Sequence, residues 1–238
     1  MKIGIITAMP EEARAILKNA EGLQKSQHGQ RSVFSCRIAG HDITLVEAGM
    51  GMLNAGWAAT ELAVQSPDLI ISAGFGGGVL PGLNVGDVVV AEQVLHWTGS
   101  DFERVATEMY APGNISLPVR GCFITSDGIL NKNDLLGLLP SGANRPVVEM
   151  ESAAVARVAA EHKIPFMGIR AISDPWNEEL GFSIQDFCDE QLRVRPIKVL
   201  ATILRRPIII PQLIRLARNS RVAARSLTLA TKQLFQQL

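Results

Sequence analysis

Two apolar runs in this chain end in acid, and that limits what it can fold into. Val147-Val148 closes on Glu149-Met150-Glu151, and Phe166 to Ile172 closes on Ser173-Asp174-Pro175. Short apolar runs bounded by turn residues predict strands buried on both faces, in a sheet covered by helices. Ser152 to Glu161 predicts the helix after the first run. Carboxylates at the carboxyl ends of strands lie where α/β sheets bind their ligands. Carboxylates hold hydroxyls and basic nitrogens, so a ribonucleoside is the natural ligand.

The rest of the chain repeats this alternation. Met1 to Thr7 predicts a buried strand and Ala8-Met9-Pro10 a turn. Glu11 to Leu17 opens a helix, with acids in its first turn where the helix dipole favours them. Ser32 to Ile38 and His41 to Glu47 predict paired strands, and Asn54 to Val64 a helix rich in small residues. Asp68 to Ala73 predicts an apolar strand ending in a glycine turn, Gly74-Phe75-Gly76-Gly77-Gly78, with Asp87 to Leu95 as the next strand. Together these predict an α/β fold of three layers: a mixed central sheet flanked by helices.

The glycine run is not a dinucleotide fingerprint. Position 79 is Val where a third Gly should fall, and another strand follows instead of a helix. The four histidines have no ligand spacing, so neither a metal nor a cofactor is expected. Cys36, Cys122 and Cys188 are scattered, which fits a reduced, cytoplasmic setting. Hydrophobic content of 47% against 19% charge excludes a disordered chain. Acids arrive too early for the N-terminus to be a signal peptide.

A net charge of zero hides a division. Residues 191–238 hold ten basic residues and no acid, leaving residues 1–190 with 13 basic against 23 acidic. This predicts a domain at 1–190 and a basic helical extension at 191–238. A helical stripe of Leu213, Leu216, Ala217, Ala224, Leu227, Ala230 and Leu234 would pack on the core or on a partner subunit. The arginines around it would alternatively face anionic lipid at the inner face of the membrane. No reader motif for nucleic acid is present.

Taken singly, the acids have plain readings: Glu149 and Glu151 as a solvated pair, Asp174 as a turn acid and Glu12 as a helix-start acid. Taken in order, the blocks resemble the methylthioadenosine/S-adenosylhomocysteine nucleosidases of the nucleoside phosphorylase and nucleosidase superfamily. The resemblance runs over residues 1–187, through Ala8-Met9-Pro10-Glu11-Glu12, Glu47-Ala48-Gly49-Met50-Gly51, Gly74 to Gly78, Val148-Glu149-Met150-Glu151 and Ile172-Ser173-Asp174. It implies hydrolysis of the N-ribosidic bond of a 5′-modified adenosine, by a homodimer or higher homo-oligomer. Asp174, with Ser173 before it, would serve the departing purine. Glu151 would hold the ribose hydroxyls beside Glu149, with Met150 beneath the sugar, and Glu12 would activate water. Met9, Met50 and Ile184 would line the apolar side of the 5′ pocket, and Phe75 and Gly76 the glycine segment.

Two departures from the family pattern stand out. Phe75 replaces a small polar residue that helps hold the nucleophile, and Ile129 replaces an aromatic residue that stacks on adenine. Relatives that use phosphate place arginine where this chain has Glu12 and Ser72, which favours water. The segments Leu204-Arg205-Arg206-Pro207 and Leu213 to Arg218 are similar to the tails of hopanoid-associated phosphorylases. That similarity implies a second expectation, a phosphorylase or nucleosidase for a lipid-linked adenosine such as adenosylhopane. A third is a nucleoside-binding protein without catalysis.

Overall fold

The computed structural model describes residues 1–110, 119–128, 130–178, 202 and 207–238. Ile129 and Ile184 lie outside the described residues.

The expected mixed sheet between helices is found. Its strands are β1 (Lys2–Thr7), β2 (Glu21–His28), β3 (Arg31–Ile38), β4 (His41–Glu47), β5 (Leu69–Gly78), β6 (Val88–Trp97), β7 (Phe102–Arg104), β8 (Val119–Ser126), β9 (Val147–Glu149) and β10 (Phe166–Asp174). The helices are α1 (Pro10–Leu17), α2 (Met52–Ala63), α3 (Lys132–Leu136), α4 (Ser152–Glu161) and α5 (Ile210–Phe235), the last preceded by a 3-10 turn at Pro207–Ile209.

The path of the sheet is β10-β6-β8-β9-β5-β1-β4-β3-β2, with β7 on β6. An additional pairing of β10 with β5 closes β5, β10, β6, β8 and β9 into a ring. The closure depends on the length of β5. Ile3 to Ile6 of β1 pair with Leu69 to Ser72, whereas β9 pairs antiparallel with Gly77 and Gly78. Residues 73–76 of β5 therefore lie between the ladders of β1 and β9, and backbone groups there need other partners.

The glycine segment predicted as a turn is the second half of this strand, and all of β5 is buried. Strand β2 escaped the sequence reading. Every residue in it is exposed, so it carries no apolar alternation, and among the described residues it pairs only with β3.

Helices α2 and α4 cover one layer through Ala55, Ala59, Val155 and Ala159. Helix α1 covers the other through Ala13 and Ile16, in a cluster with Ala223, Leu227, Leu234 and Phe235 of α5. The C-terminal half of α5 is thus built into the core, although it lies beyond the boundary placed at residue 190. Thr228 Oγ1 donates to the Ala15 carbonyl at 2.8 Å, tying α5 to α1. The 3-10 turn and the N-terminal part of α5 are exposed, with Ile208 85% and Ile214 65% accessible.

Candidate active site

The stretch of β5 between the β1 and β9 ladders is where the first acid, Glu12, reaches the sheet. Glu12 sits at the third position of α1, is 2% exposed and turns back to cap its own helix. Its Oε2 accepts from the Ala8 and Met9 amides at 2.9 and 2.8 Å. Its Oε1 accepts from the Phe75 amide at 2.8 Å, one of the β5 groups between the two ladders. A plain helix-start acid would be solvated, whereas this one crosses from α1 to the sheet. Burial pushes its carboxyl above the usual range; the Phe75, Met9 and Ala8 amides and the charge of Arg170 oppose the shift without cancelling it.

The β9–α4 junction supplies two more acids. Glu151 is the N-cap residue of α4, and its Oε1 accepts from the Gly51 amide at the start of α2, 2.9 Å away. Its Oε2 accepts from the Met150 amide at 3.3 Å and lies 3.5 Å from Arg170 Nη2. Burial, with Glu149 as a like-charged neighbour, raises its pKa to about 7. Glu149 faces inward. It accepts from the Ser152 amide at 2.8 Å, the Glu151 amide at 3.1 Å, the Thr125 hydroxyl and the Arg170 guanidinium. Burial alone would raise its carboxyl, but Arg170 and these donors outweigh it and hold the group below the ordinary range. Glu149 and Glu151 are therefore not a solvated pair. Glu149 anchors Arg170, and Glu151 is the more weakly compensated acid.

Arg170, 2% exposed in the middle of β10, was not singled out from the sequence. Its Nη2 reaches Ser72 Oγ at 3.0 Å and Ser152 Oγ at 3.2 Å, and its Nη1 donates to the Ile169 carbonyl at 3.0 Å. The cluster is thus three buried carboxylates, Glu12, Glu149 and Glu151, around one cation. Burial is the main reason the proton affinities of Glu12 and Glu151 rise, and the single cation offsets it only in part.

Asp174 ends β10 beside the distal part of the glycine segment. Its Oδ1 accepts from Ser173 Oγ at 2.7 Å, and its Oδ2 lies 2.5 Å from Lys132 Nζ. The glycines make room for these groups. A Cβ on Gly74 would come within 2.6 Å of Glu12 Oε1, and one on Gly77 within 2.5 Å of Asp174 Oδ2. At about 3.3 Å per strand residue, the β5 positions touched by Glu12 (Gly74 and Phe75) and by Asp174 (Gly77) lie roughly 7–10 Å apart along the strand.

The other expected residues divide as follows. Met9, Met50 and Met150 are half-buried, each next to an amide or carboxylate of the cluster: Met9 donates to Glu12, Met50 precedes Gly51, and Met150 donates to Glu151. Phe75 is buried in the α1-side core, so only its amide serves the cluster. Gly76 packs closely on Val147, where a Cβ would meet a methyl at 2.6 Å. Lys132 gave no sequence signal, because it lies in a short polar run with Asn131, Asn133 and Asp134.

Buried acids gathered from the first helix, the β9–α4 junction and the end of β10, on a mixed sheet between helices, make this an α/β protein with a carboxylate-rich site. A model described as the Phosphorylase superfamily matches residues 2–205, so the chain belongs to that superfamily. Among curated proteins it is 30% identical over 215 residues to the 5′-methylthioadenosine/S-adenosylhomocysteine nucleosidases of Bacillus thuringiensis (strain Al Hakam) and Bacillus anthracis, covering 80% of this chain and 93% of each relative. The fold matches the Campylobacter jejuni nucleosidase of the same name with a TM-score of 0.71 at 18% identity, over 100% of this chain and 98% of that one. Helicobacter pylori futalosine hydrolase matches with the same score, identity and coverage.

Proposed function

We propose that this chain hydrolyses the N-ribosidic bond of a 5′-substituted adenosine, as the names of its 30%-identical relatives indicate for them. The observation that carries this reading is the charge imbalance of the buried cluster. Cleavage of an N-ribosidic bond builds positive charge on the sugar, as glycoside cleavage does. Glu12 and Glu151 are held with raised proton affinity beside a single arginine. A ribosyl cation supplies the missing charge, so the site binds it better than the neutral substrate.

Each acid then has a role. Glu151, fixed by the Gly51 amide, holds the ribose hydroxyls, with Met150 beneath the ring. Glu12 takes the proton of the attacking water, and its raised affinity makes it a stronger base than a solvated carboxylate. Asp174 gives a proton to the leaving purine. Glu149 and Arg170 position the others. Met9 and Met50 line the sugar and its 5′ substituent.

Water is favoured over phosphate because Arg170 gives its Nη2 to Glu149 and to Ser72, the position at which phosphate-using relatives carry arginine. The deciding assay is release of adenine from methylthioadenosine and S-adenosylhomocysteine, with and without phosphate. Free 5′-substituted ribose at a phosphate-independent rate is expected. A ribose 1-phosphate product would assign the chain to the phosphorylases, and no release from any nucleoside would leave the binding-protein reading.

A lipid-linked adenosine is the second reading, and α5 favours it. Ile214, Arg218, Arg221 and Arg225 are exposed and recur at helical spacing on one stripe, next to exposed Ile208 and Ile210. Such a stripe suits peripheral contact with an anionic membrane. No described helix is long and apolar enough to cross one. Pelleting of the full chain with anionic vesicles, reversed by salt, would support this contact.

A further inference from the structure

Lys132 is the first residue of α3, and its side chain is only 7% exposed. The ammonium has three donors, and three acceptors stand around it: Asp174 Oδ2 at 2.5 Å, the Pro175 carbonyl at 2.8 Å and the Asp174 carbonyl at 3.1 Å. The other carboxylate oxygen of Asp174 accepts from Ser173 at 2.7 Å. Both oxygens of Asp174 are thus engaged by neighbouring donors, and this geometry directs no proton of its own at a ligand. A departing purine needs one, and the nearest is on Lys132 Nζ. The glycine strand leaves space for this pair: a Cβ at Gly77 would lie 3.0 Å from Lys132 Cε as well as against Asp174.

We propose that Lys132 is a positioning residue that supplies, through Asp174, the proton taken up by the leaving base. The proposal rests on the nucleosidase reading above. As the bond from C1′ to the base nitrogen breaks, its electron pair stays on that nitrogen. Asp174 protonates the nitrogen and takes a proton from Lys132 across the 2.5 Å contact. The attacking water forms the new C1′–O bond and gives its proton to Glu12. Lys132 ends as a neutral amine and Glu12 as a carboxylic acid, and exchange with solvent restores both without net gain or loss of protons.

The test compares two substrates that differ in what the leaving group needs. Methylthioadenosine requires protonation of its base, whereas p-nitrophenyl riboside expels a phenolate stable without it. Lys132→Met removes the cation. Lys132→Arg keeps a cation for the ion pair but not a transferable proton, because guanidinium does not deprotonate in proteins. Both variants should lose roughly 10²-fold or more in kcat on methylthioadenosine, with KM little changed and turnover of the nitrophenyl riboside retained. Should Lys132→Met fail to fold, Lys132→Arg carries the comparison. Rescue by Arg, equal losses on both substrates, or unchanged turnover of the nucleoside would each overturn the proposal and leave Lys132 a structural clamp. A parent protein that releases no base from any nucleoside would sink the nucleosidase reading along with it, a result distinguishable from the other three.

Discussion

Glu12 occupies the space that a side chain at position 74 would need. Its three amide donors, from Ala8, Met9 and Phe75, leave the carboxylate no free direction in which to retreat. Gly74→Ala would place a Cβ 2.6 Å from Oε1 and force the acid off the Phe75 amide. Turnover should fall by roughly 10²-fold or more, the scale of a lost general base, and Glu12→Gln should fall comparably. Steady-state kinetics on methylthioadenosine will decide, and a Gly74→Ala enzyme with parental kcat would remove Glu12 from the mechanism.

Asp174→Asn should lower kcat by roughly 10²–10⁴-fold and lower the melting temperature as well, because an amide that accepts from Ser173 turns its NH2 group toward the buried Lys132 ammonium. An Asn variant with full activity would refute its role as donor to the leaving base.

Arg170→Met should destabilise the protein by about 3–5 kcal/mol, the cost of leaving buried charge without its partner. Glu149, held below its ordinary range largely by Arg170, is the group left exposed to that cost. Urea titration at pH 7 gives the number. A loss below about 1 kcal/mol would mean that the cluster is solvated or protonated and not the ion network described above.

Glu151 makes a prediction with a definite sign. Its folded pKa of about 7 lies above its ordinary 4.5, so the native state binds the proton more tightly than the unfolded chain. Stability from this group is fully present below pH 4.5 and is lost as pH rises through about 7. At roughly 1.4 kcal/mol per unit, the loss is at most roughly 3–4 kcal/mol. Glu151→Gln should therefore match the parent's urea midpoint at pH 5 and exceed it at pH 8, while losing activity at both. A midpoint difference that does not change with pH would contradict the assignment.

Leu227→Ala tests the place of α5. Leu227 is fully buried in the core cluster of α1, so the cavity should cost about 2–5 kcal/mol. Arg218→Gln with Arg221→Gln, on the exposed stripe, should leave stability unchanged and weaken vesicle binding. A Leu227→Ala protein as stable as its parent would show that α5 is an appendage.

Much of this was legible in the residues. Apolar runs ending at Glu149 and Asp174 located the carboxyl ends of two buried strands, and the glycine run marked a place where something approaches the backbone. What hid was of two kinds. Arg170 sits inside a run that otherwise reads as buried strand, and a charge in that position must be paired, so a signal existed. Lys132 had none. Its burial comes from Asp174, 42 positions further along, and sequence spacing carries no trace of such a contact. Strand β5 misled for a related reason. Glycine lowers strand propensity, yet here the missing side chains are what Glu12, Lys132 and Asp174 require.

The tie between α1 and α5 bears on how the molecule comes together. The Thr228 hydroxyl bonds to Ala15 across 213 positions of chain, and Leu227 and Phe235 close the apolar face behind the helix that carries Glu12. A contact of that sequence separation forms slowly, because a long loop must close before it is rewarded. The β-strands and the β9–α4 acids can assemble earlier from nearer partners. The α1–α5 packing behind Glu12 is therefore the part of the fold that closes late, and catalytic competence should lag behind sheet formation during refolding.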